Sequence, residues 1–412
     1  MLIKNLKQVK TYLALEYNIR VVCLAFFALN LGSALWLQLL PIHLDHLGLT
    51  AVWIGAIIIG QVAAISIMSL PSGKLSDLIG RRPPLVVGSG LVVIITFLLY
   101  FAVDPTVIFI LVVLDGVAWG LIVPAVIALI AESAPPTQTG MAYASYYFSA
   151  FLATVVGSAF SGILADLLGF PSLFLIGATV STFAFLILYF FIKETVITKN
   201  SHRIALKQSV LKSIPETVAL LRNNSDLTWL AVAIAIHAFG FAMFTPFIPL
   251  YAKYGIRLDV VQIGFLLAIW NAGFLLSQIP SGRLTDLLGS RPTLVIHFIL
   301  SSVTWGLYPL FPNFGLAAVT LILMGAVGAM DMPARRIMML ESSPKGGKAT
   351  IVGGLDFITG VASILAPIIG GAFWDRMGYS APFIGAAILN LFACVPLVLL
   401  LKKQRMNNST LN

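Results

Sequence analysis

Residues 71–85 read PSGKLSDLIGRRPPL, and residues 280–294 read PSGRLTDLLGSRPTL. The two stretches are 209 residues apart, and that offset carries Gly73 onto Gly282, Asp77 onto Asp286, Gly80 onto Gly289 and Arg82 onto Arg291. The same offset pairs Gly116 with Gly325, Pro124 with Pro333, Glu132 with Glu341, Asp166 with Asp375 and Gly169 with Gly378. A register kept across separate landmarks marks a duplicated unit. Repeats of this kind belong to membrane folds built from two halves, related by an axis along the membrane normal, with a binding site between them.

The composition agrees with a membrane setting. Hydrophobic residues make up 59% of the chain and charged residues 10%, where a soluble domain carries about 25% charged residues. The apolar residues fall in long blocks, and a helix needs roughly 20 of them to cross the hydrocarbon core. Twelve blocks meet this description, near 19–42, 51–71, 84–103, 106–131, 142–164, 172–192, 229–250, 260–280, 293–311, 315–340, 350–373 and 381–401. The expected fold is therefore an all-α membrane protein: twelve transmembrane helices in two pseudosymmetric six-helix bundles.

Basic residues fix the expected orientation. The amino-terminal tail, the central segment, the carboxyl tail and the alternate loops on their side hold 22 of the 25 Lys and Arg residues, leaving Lys253, Arg257 and Arg376 for the other side. By the positive-inside rule both termini are cytoplasmic, in a protein integral to the cytoplasmic membrane. Attraction to anionic lipid accounts for the net charge of +9, so nucleic acid is not an expected partner. Cys23 and Cys394 lie in apolar blocks, which gives no disulfide framework. The expected layout is a cytoplasmic amino-terminal segment 1–18, a first bundle 19–192, a cytoplasmic central loop 193–228 with a surface helix around 204–222, a second bundle 229–401 and a cytoplasmic tail 402–412. Gly116 and Gly120 form a small-xxx-small pair suited to close helix contact. Pro246, Pro249 and Pro367 are placed to bend their spans.

The loop GKLSDLIGRR at 73–82 resembles the signature loop of the major facilitator superfamily, and GRLTDLLGSR at 282–291 resembles the weaker copy that family often keeps in its second half. The resemblance covers nearly the whole chain and specifies a superfamily, not a substrate. It implies a gating motif made of Gly73, Asp77, Gly80, Arg81, Arg82, Gly282, Asp286 and Arg291, with Glu132, Glu341 and Asp356 as cytoplasmic-end acids. Gly73 would let the end of span 2 approach a neighbour, and Arg81 and Arg82 would pair with Glu132. Asp77 would latch onto the start of span 11, where a helix amino terminus favours negative charge, and so close the cytoplasmic side. The chain departs from two signatures of export-type relatives. Span 4 reads LVVLDG at 111–116, with Val112 at the position of the usual Arg, and span 5 reads GSAFSG at 157–162, with Ser158 replacing Pro. The closer match, APIIGG at 366–371, lies in the other half.

Acids at membrane depth are functional candidates by default, since placing one there costs at least about 2.5–3.5 kcal/mol. Asp115 shares a face with Val112 and Trp119 and is expected to line the central cavity as a proton-coupling or substrate group. Asp331 is a second candidate, with Arg335 four residues on as an ion-pair partner. His237 is a third, as a side chain that titrates near neutral pH. Asn30, Trp36, Gln38, Gln61, Trp119, Phe241, Phe244, Trp270 and Asn271 are candidate cavity-lining residues, and the aromatic faces among them attract lipophilic cations. There is no P-loop, no metal-ligand cluster and no nucleophile–base constellation, so the expectation is no enzyme, no cofactor and no metal. The reading is a monomeric secondary active transporter of a small amphiphilic molecule, driven by protons in the export direction. A symporter or uniporter for a polar nutrient, and an uncoupled transporter-like receptor or lipid scramblase, stay open as alternatives.

Overall fold

The computed structural model describes residues 17–135, 138–195, 221–222, 224–341, 355 and 359–409. Asp356, most of the central segment 193–228 and the outermost residues of both tails lie outside the described residues. Everything regular among the described residues is helical. In the first half, α1 (Tyr17–Leu37) continues through a turn into α2 (Leu40–His46) and is followed by α3 (Ala51–Ile79), α4 (Arg82–Leu99), α5 (Pro105–Ser133), α6 (Thr139–Leu168) and α7 (Phe170–Phe191). The second half holds α8 (Ser225–Phe244), α9 (Ile248–Tyr254), α10 (Val260–Leu288), α11 (Ser290–Leu307), α12 (Phe314–Gly328), α13 (Asp331–Glu341), α14 (Ala366–Met377) and α15 (Ala381–Ser409). Ten helical stretches among the described residues are long and apolar enough to cross a membrane, and Ala381–Leu397 within α15 is a shorter apolar one.

The repeat survives folding. α3 and α10 both run 29 residues, with both ends displaced by the same 209 residues. Within the first half, α1 packs on α6 and α7, and α5 packs on α3 and α4; within the second, α15 packs on α8 and α11, and α12 on α10. The halves meet through α3 against α14 and α6 against α10. Lipid tails give helices no hydrophobic reason to associate, so close packing over small residues does this work. Gly116 and Gly120 show it: a Cβ on either would press into the Gln61–Met68 stretch of α3.

Two local features differ from the sequence reading. The signature stretch is not a loop. Residues 71–79 and 280–288 are the last turns of α3 and α10, carried through Pro71 and Pro280. Each helix ends where Gly80 (φ 99°) or Gly289 (φ 87°) takes a left-handed conformation open to glycine. The polar residues leave the apolar zone without breaking the helix. The tenth block is also not one helix: it turns at Ala329 and Met330, and Asp331 opens a new helix, α13. The bends at Pro246, Pro249 and Pro367 fall where the prolines place them, with a short 3₁₀ turn at Thr245–Phe247 and a turn just before α14.

Candidate functional site

The two halves touch tightly at one end of the molecule. Gly55 and Gly264 are repeat partners, as are Gly162 and Gly371, each pair 209 residues apart. All four pack on the opposite half: Gly55 on Pro367, Gly371 on Ala51 and Val52, Gly162 on Val260 and Val261, and Gly264 on Ser158 and Gly162. Polar contacts seal the same end. Lys253 Nζ lies 2.7 Å from Asp45 Oδ2, and the Tyr254 hydroxyl donates to that oxygen at 2.7 Å. The Asp375 carboxylate accepts from the backbone N–H of Ala51 (3.3 Å) and Val52 (3.4 Å), capping α3 from the other half. Asp45 and Tyr254 are themselves repeat partners, so they meet across the pseudo-twofold axis.

At the end bearing the signature stretches, the following contacts among the described residues lie within each half. Arg81 is nearly buried, and its guanidinium reaches Asp77 Oδ1 (2.5 Å), Ser76 Oγ (3.1 Å) and Glu132 Oε1 (2.7 Å). Glu132 also accepts from Thr195 Oγ1, while Glu194 accepts from the backbone N–H of Arg81 and Arg82 at the start of α4. Arg82 does not join Glu132; its Nη2 donates to the Tyr189 carbonyl at 2.7 Å. In the second copy Ser290 stands where Arg81 stands in the first, and its hydroxyl donates to Glu341, the partner of Glu132, at 2.6 Å. The Asp77 side chain is 63% exposed. Among the described residues, a Cβ on Gly73 would meet only Pro124 of α5, at 3.8 Å, an ordinary van der Waals contact, and one on Gly282 would meet nothing within 4 Å.

Arg81 ties α3, the turn and α5 together, which gives a direct stability test. Removing one partner from a buried charge network costs about 3–5 kcal/mol, and the partial exposure of Asp77 and Glu132 lowers the expectation to about 2 kcal/mol. Arg81→Ala is therefore expected to lower the thermal unfolding midpoint of the detergent-solubilised protein clearly. A midpoint equal to that of the wild type would mean that the network is ornamental.

Between the halves lies a cavity of about 580 Å³, with Gln38 and Gln61 from the first half and Phe241, Trp270, Asn271 and Arg335 from the second among its lining residues. A recess of about 200 Å³ adjoins Gln38 and Gln61 and includes Asn30 and Trp119. A chamber of about 380 Å³ shares Phe241, Trp270, Asn271 and Arg335 with the main cavity and runs into the second half, past Trp305, to His237, His297 and Asp331. Seven of the nine candidate lining residues thus border this space. Trp36 and Phe244 do not. Trp36 is fully buried against Phe174 in the first half, and Phe244 is fully buried against Trp305 and Phe383 in the second. A large aromatic ring on a span of even hydrophobicity fits a helix–helix seam as well as a cavity wall.

Asp115 also sits elsewhere than expected. It is completely buried between α5 and α3, where Gln61 Nε2 donates to its Oδ2 at 2.7 Å, and it borders none of these cavities. Gln61 stands between Asp115 and the open space. Among the described residues, the acid that reaches the cavity is Asp331, placed at the start of α13 by the break in the tenth block and paired with Arg335 at 2.9 Å. His297, which sequence reading missed, joins His237 there at 3.2 Å between Nε2 atoms. With Asp331 they form a group of potential metal ligands within 4.8 Å of one another, where the sequence offered no such cluster. The signal for His297 was available only as one more histidine in an apolar block; its partner is 60 residues away.

Two helical bundles, repeat-related and enclosing a cavity between them, are the architecture of a membrane transporter. The Major Facilitator Superfamily family model matches residues 22–257 and 230–411, and the chain belongs to that family. It is 27% identical over 388 residues to the multidrug resistance protein MdtG of Proteus mirabilis, covering 92% of this chain and 94% of that one. It is 25% identical over 384 residues to an uncharacterised MFS-type transporter of Methanocaldococcus jannaschii, covering 92% and 96%. Among solved structures it resembles the nucleoside transporter NupG (TM-score 0.77, 14% identity, 92% and 98% covered). It also resembles a bacterial homologue of the human lysosomal transporter Spinster (TM-score 0.77, 13% identity, 93% and 96% covered). The protein is an integral membrane transporter and not an enzyme.

Proposed function

We propose that this protein is a proton-coupled exporter of small amphiphilic molecules, acting as a monomer in the cytoplasmic membrane with both termini in the cytoplasm. The observation that carries the reading is the 580 Å³ cavity shared by both halves, whose walls are mainly apolar, with Phe241 and Trp270 among them, three amides, three hydroxyls and one arginine. A sugar or other polar solute would need many more hydrogen-bonding groups to replace its lost water. A lipophilic cation needs apolar surface and aromatic faces, which Phe241 and Trp270 supply. The relatives named as multidrug resistance proteins point the same way. With the basic segments on the cytoplasmic side, the sealed end faces outward, and the described conformation is the one open to the cytoplasm. In the opposite conformation Asp77 and its surroundings would form the closed end.

Two measurements test this. Purified protein in liposomes with an imposed pH gradient should concentrate a fluorescent lipophilic cation against its gradient, and a proton-carrying ionophore should abolish the effect. Uptake of a polar nutrient under the same gradient, with no movement of the dye, would replace the export reading by the symport one. Orientation is tested separately by single cysteines introduced at Ser201 and Asp259. An impermeant thiol reagent applied to whole cells should label the second and not the first; labelling of both from one side would sink the topology.

A further inference from the structure

We infer that His237 and His297 hold one exchangeable proton between their Nε2 atoms, with Asp331 as its counter-charge, and that this pair is the coupling site of the transporter proposed above, a reading on which the inference rests. Hydrogen bonding fixes both tautomers. The Nδ1 of His297 lies 2.8 Å from the Val327 carbonyl oxygen, which can only accept, so that nitrogen carries a hydrogen. Ser301 Oγ lies 3.3 Å from the same nitrogen as a weaker neighbour. The Nδ1 of His237 lies 2.8 Å from Asn390 Oδ1. The orientation of that amide is set on its other side, where Nδ2 donates to the Phe298 carbonyl at 2.8 Å and to Ser302 Oγ at 3.0 Å. The nitrogen of His237 that faces Asn390 therefore carries a hydrogen too.

A neutral imidazole has one N–H, so each Nε2 is left with a lone pair. These two atoms are 3.2 Å apart and buried. Two buried acceptors facing each other are both unsatisfied, and each carries a desolvation penalty. A single proton removes the conflict: it binds one Nε2 and is donated to the other, and both acceptors are then used. The positive charge so created needs a counter-charge. Asp331 supplies it, shared with Arg335: its Oδ2 pairs with Arg335 at 2.9 Å, and its buried Oδ1 has no hydrogen-bond partner among the described residues. Among the described residues, the charged groups facing the pair are Asp331 and Arg335 of α13, with Arg336 acting on Asp331 from farther along that helix. The other packed elements contribute neutral groups: Val327 from α12, Ser301 and Phe298 from α11, and Asn390 from α15.

Both histidines, Asp331 and Arg335 border the 380 Å³ chamber that joins the central cavity. A proton can thus enter and leave through cavity water. A cation lodging beside Asp331 would draw on the same counter-charge and expel the shared proton, one positive charge for another, which is the stoichiometric core of an exchange mechanism. A divalent metal would use the same two Nε2 lone pairs and a carboxylate oxygen, and the chelator arm of the test below decides between it and the proton.

The test needs neither substrate nor transport. Full-length protein labelled with ¹⁵N-histidine and reconstituted into liposomes is followed by solid-state NMR across a pH series, with and without a chelator. The expected result is two histidines with Nδ1 protonated throughout, whose Nε2 signals move together, between the bare and protonated positions, as one proton is taken up. The chelator should change nothing. His297→Gln should end the uptake, because the glutamine amide donates to His237 Nε2 directly. Asn390→Leu should end it by a different route: His237 is freed to place its hydrogen on Nε2 and donate to His297 with no added proton. Both Nε2 atoms bare at every pH, or an Nε2–H tautomer in the wild type, overturns the inference. So do signals that the chelator shifts and zinc restores, which would mark a metal site. If the NMR result holds while the dye is not transported, the export reading fails and the proton site stands.

Discussion

Gly371→Val is expected to abolish transport while leaving the protein folded, by prying apart the end at which the halves are sealed. A Cβ at position 371 would lie 2.5 Å from the Ala51 carbonyl oxygen and 2.5 Å from the Val52 nitrogen. Both are backbone atoms of α3, which cannot rotate aside as a side chain tip would. Overpacking of this kind costs about 1–3 kcal/mol, and here the cost falls only on the conformation in which α3 and α14 touch. A bias of that size shifts a two-state equilibrium roughly 5- to 150-fold. The opposite conformation should then dominate, and a transporter that cannot return does not cycle. Spin labels at Leu168 and Met377, exposed residues at that end and repeat partners, should report a longer separation in the variant. Gly140→Ala, at a position where a Cβ would meet nothing within 4 Å, is the control. An unchanged distance distribution in Gly371→Val would show that the seal does not depend on this contact.

The repeat made the fold legible, and it reached further than the sequence reading took it. The offset that aligns the signature stretches also aligns Gly55 with Gly264 and Gly162 with Gly371, the four small residues at the sealed end. Gly162 and Gly371 even appeared in the span-5 and span-11 signatures, but what they touch belongs to the other half and is invisible from one helix. The cavity was legible where a residue's side of its helix followed from chemistry, as for Gln61, Trp270 and Asn271. It was not legible for Trp36 or Phe244, because spans that are apolar on every side carry almost no periodic signal about which face meets a neighbour. The polar cluster of the second half was the largest omission. His297 lies in α11, His237 in α8, Asn390 in α15 and Asp331 beyond a helix break that hydropathy does not register. Only the packing of four elements brings them together.

The same packing reverses the expected weight of the two buried acids. Read along one helix, Asp115 is the natural coupling group: it is alone near mid-membrane in the first half, with no Lys or Arg in its span. In the folded protein it is sealed off, held by Gln61 at 2.7 Å and fully buried. An asparagine at 115 has nearly the same shape, and its carbonyl oxygen can accept the same hydrogen bond from Gln61. Asp115→Asn is therefore expected to keep most of the pH-gradient-driven accumulation of a fluorescent lipophilic cation. Asp331 differs in each respect. It borders the cavity, it is the anion of the Arg335 pair, and a carboxylate oxygen of it lies within 4.8 Å of the histidine nitrogens. Asp331→Asn keeps the volume but leaves Arg335, and any proton on the histidines, without a counter-charge; a fully buried charge so left costs about 3–5 kcal/mol, and the exposure of this pair to the cavity lowers the expectation to about 2 kcal/mol. That corresponds to a loss of coupled accumulation of more than about tenfold, since each 1.4 kcal/mol is about tenfold. The two variants, reconstituted at equal amounts and assayed side by side for dye accumulation and for downhill dye exchange, decide between the acids. Loss of accumulation in Asp115→Asn with retention in Asp331→Asn would return the coupling role to the first half, and would require Asp115 to become hydrated in a conformation other than this one.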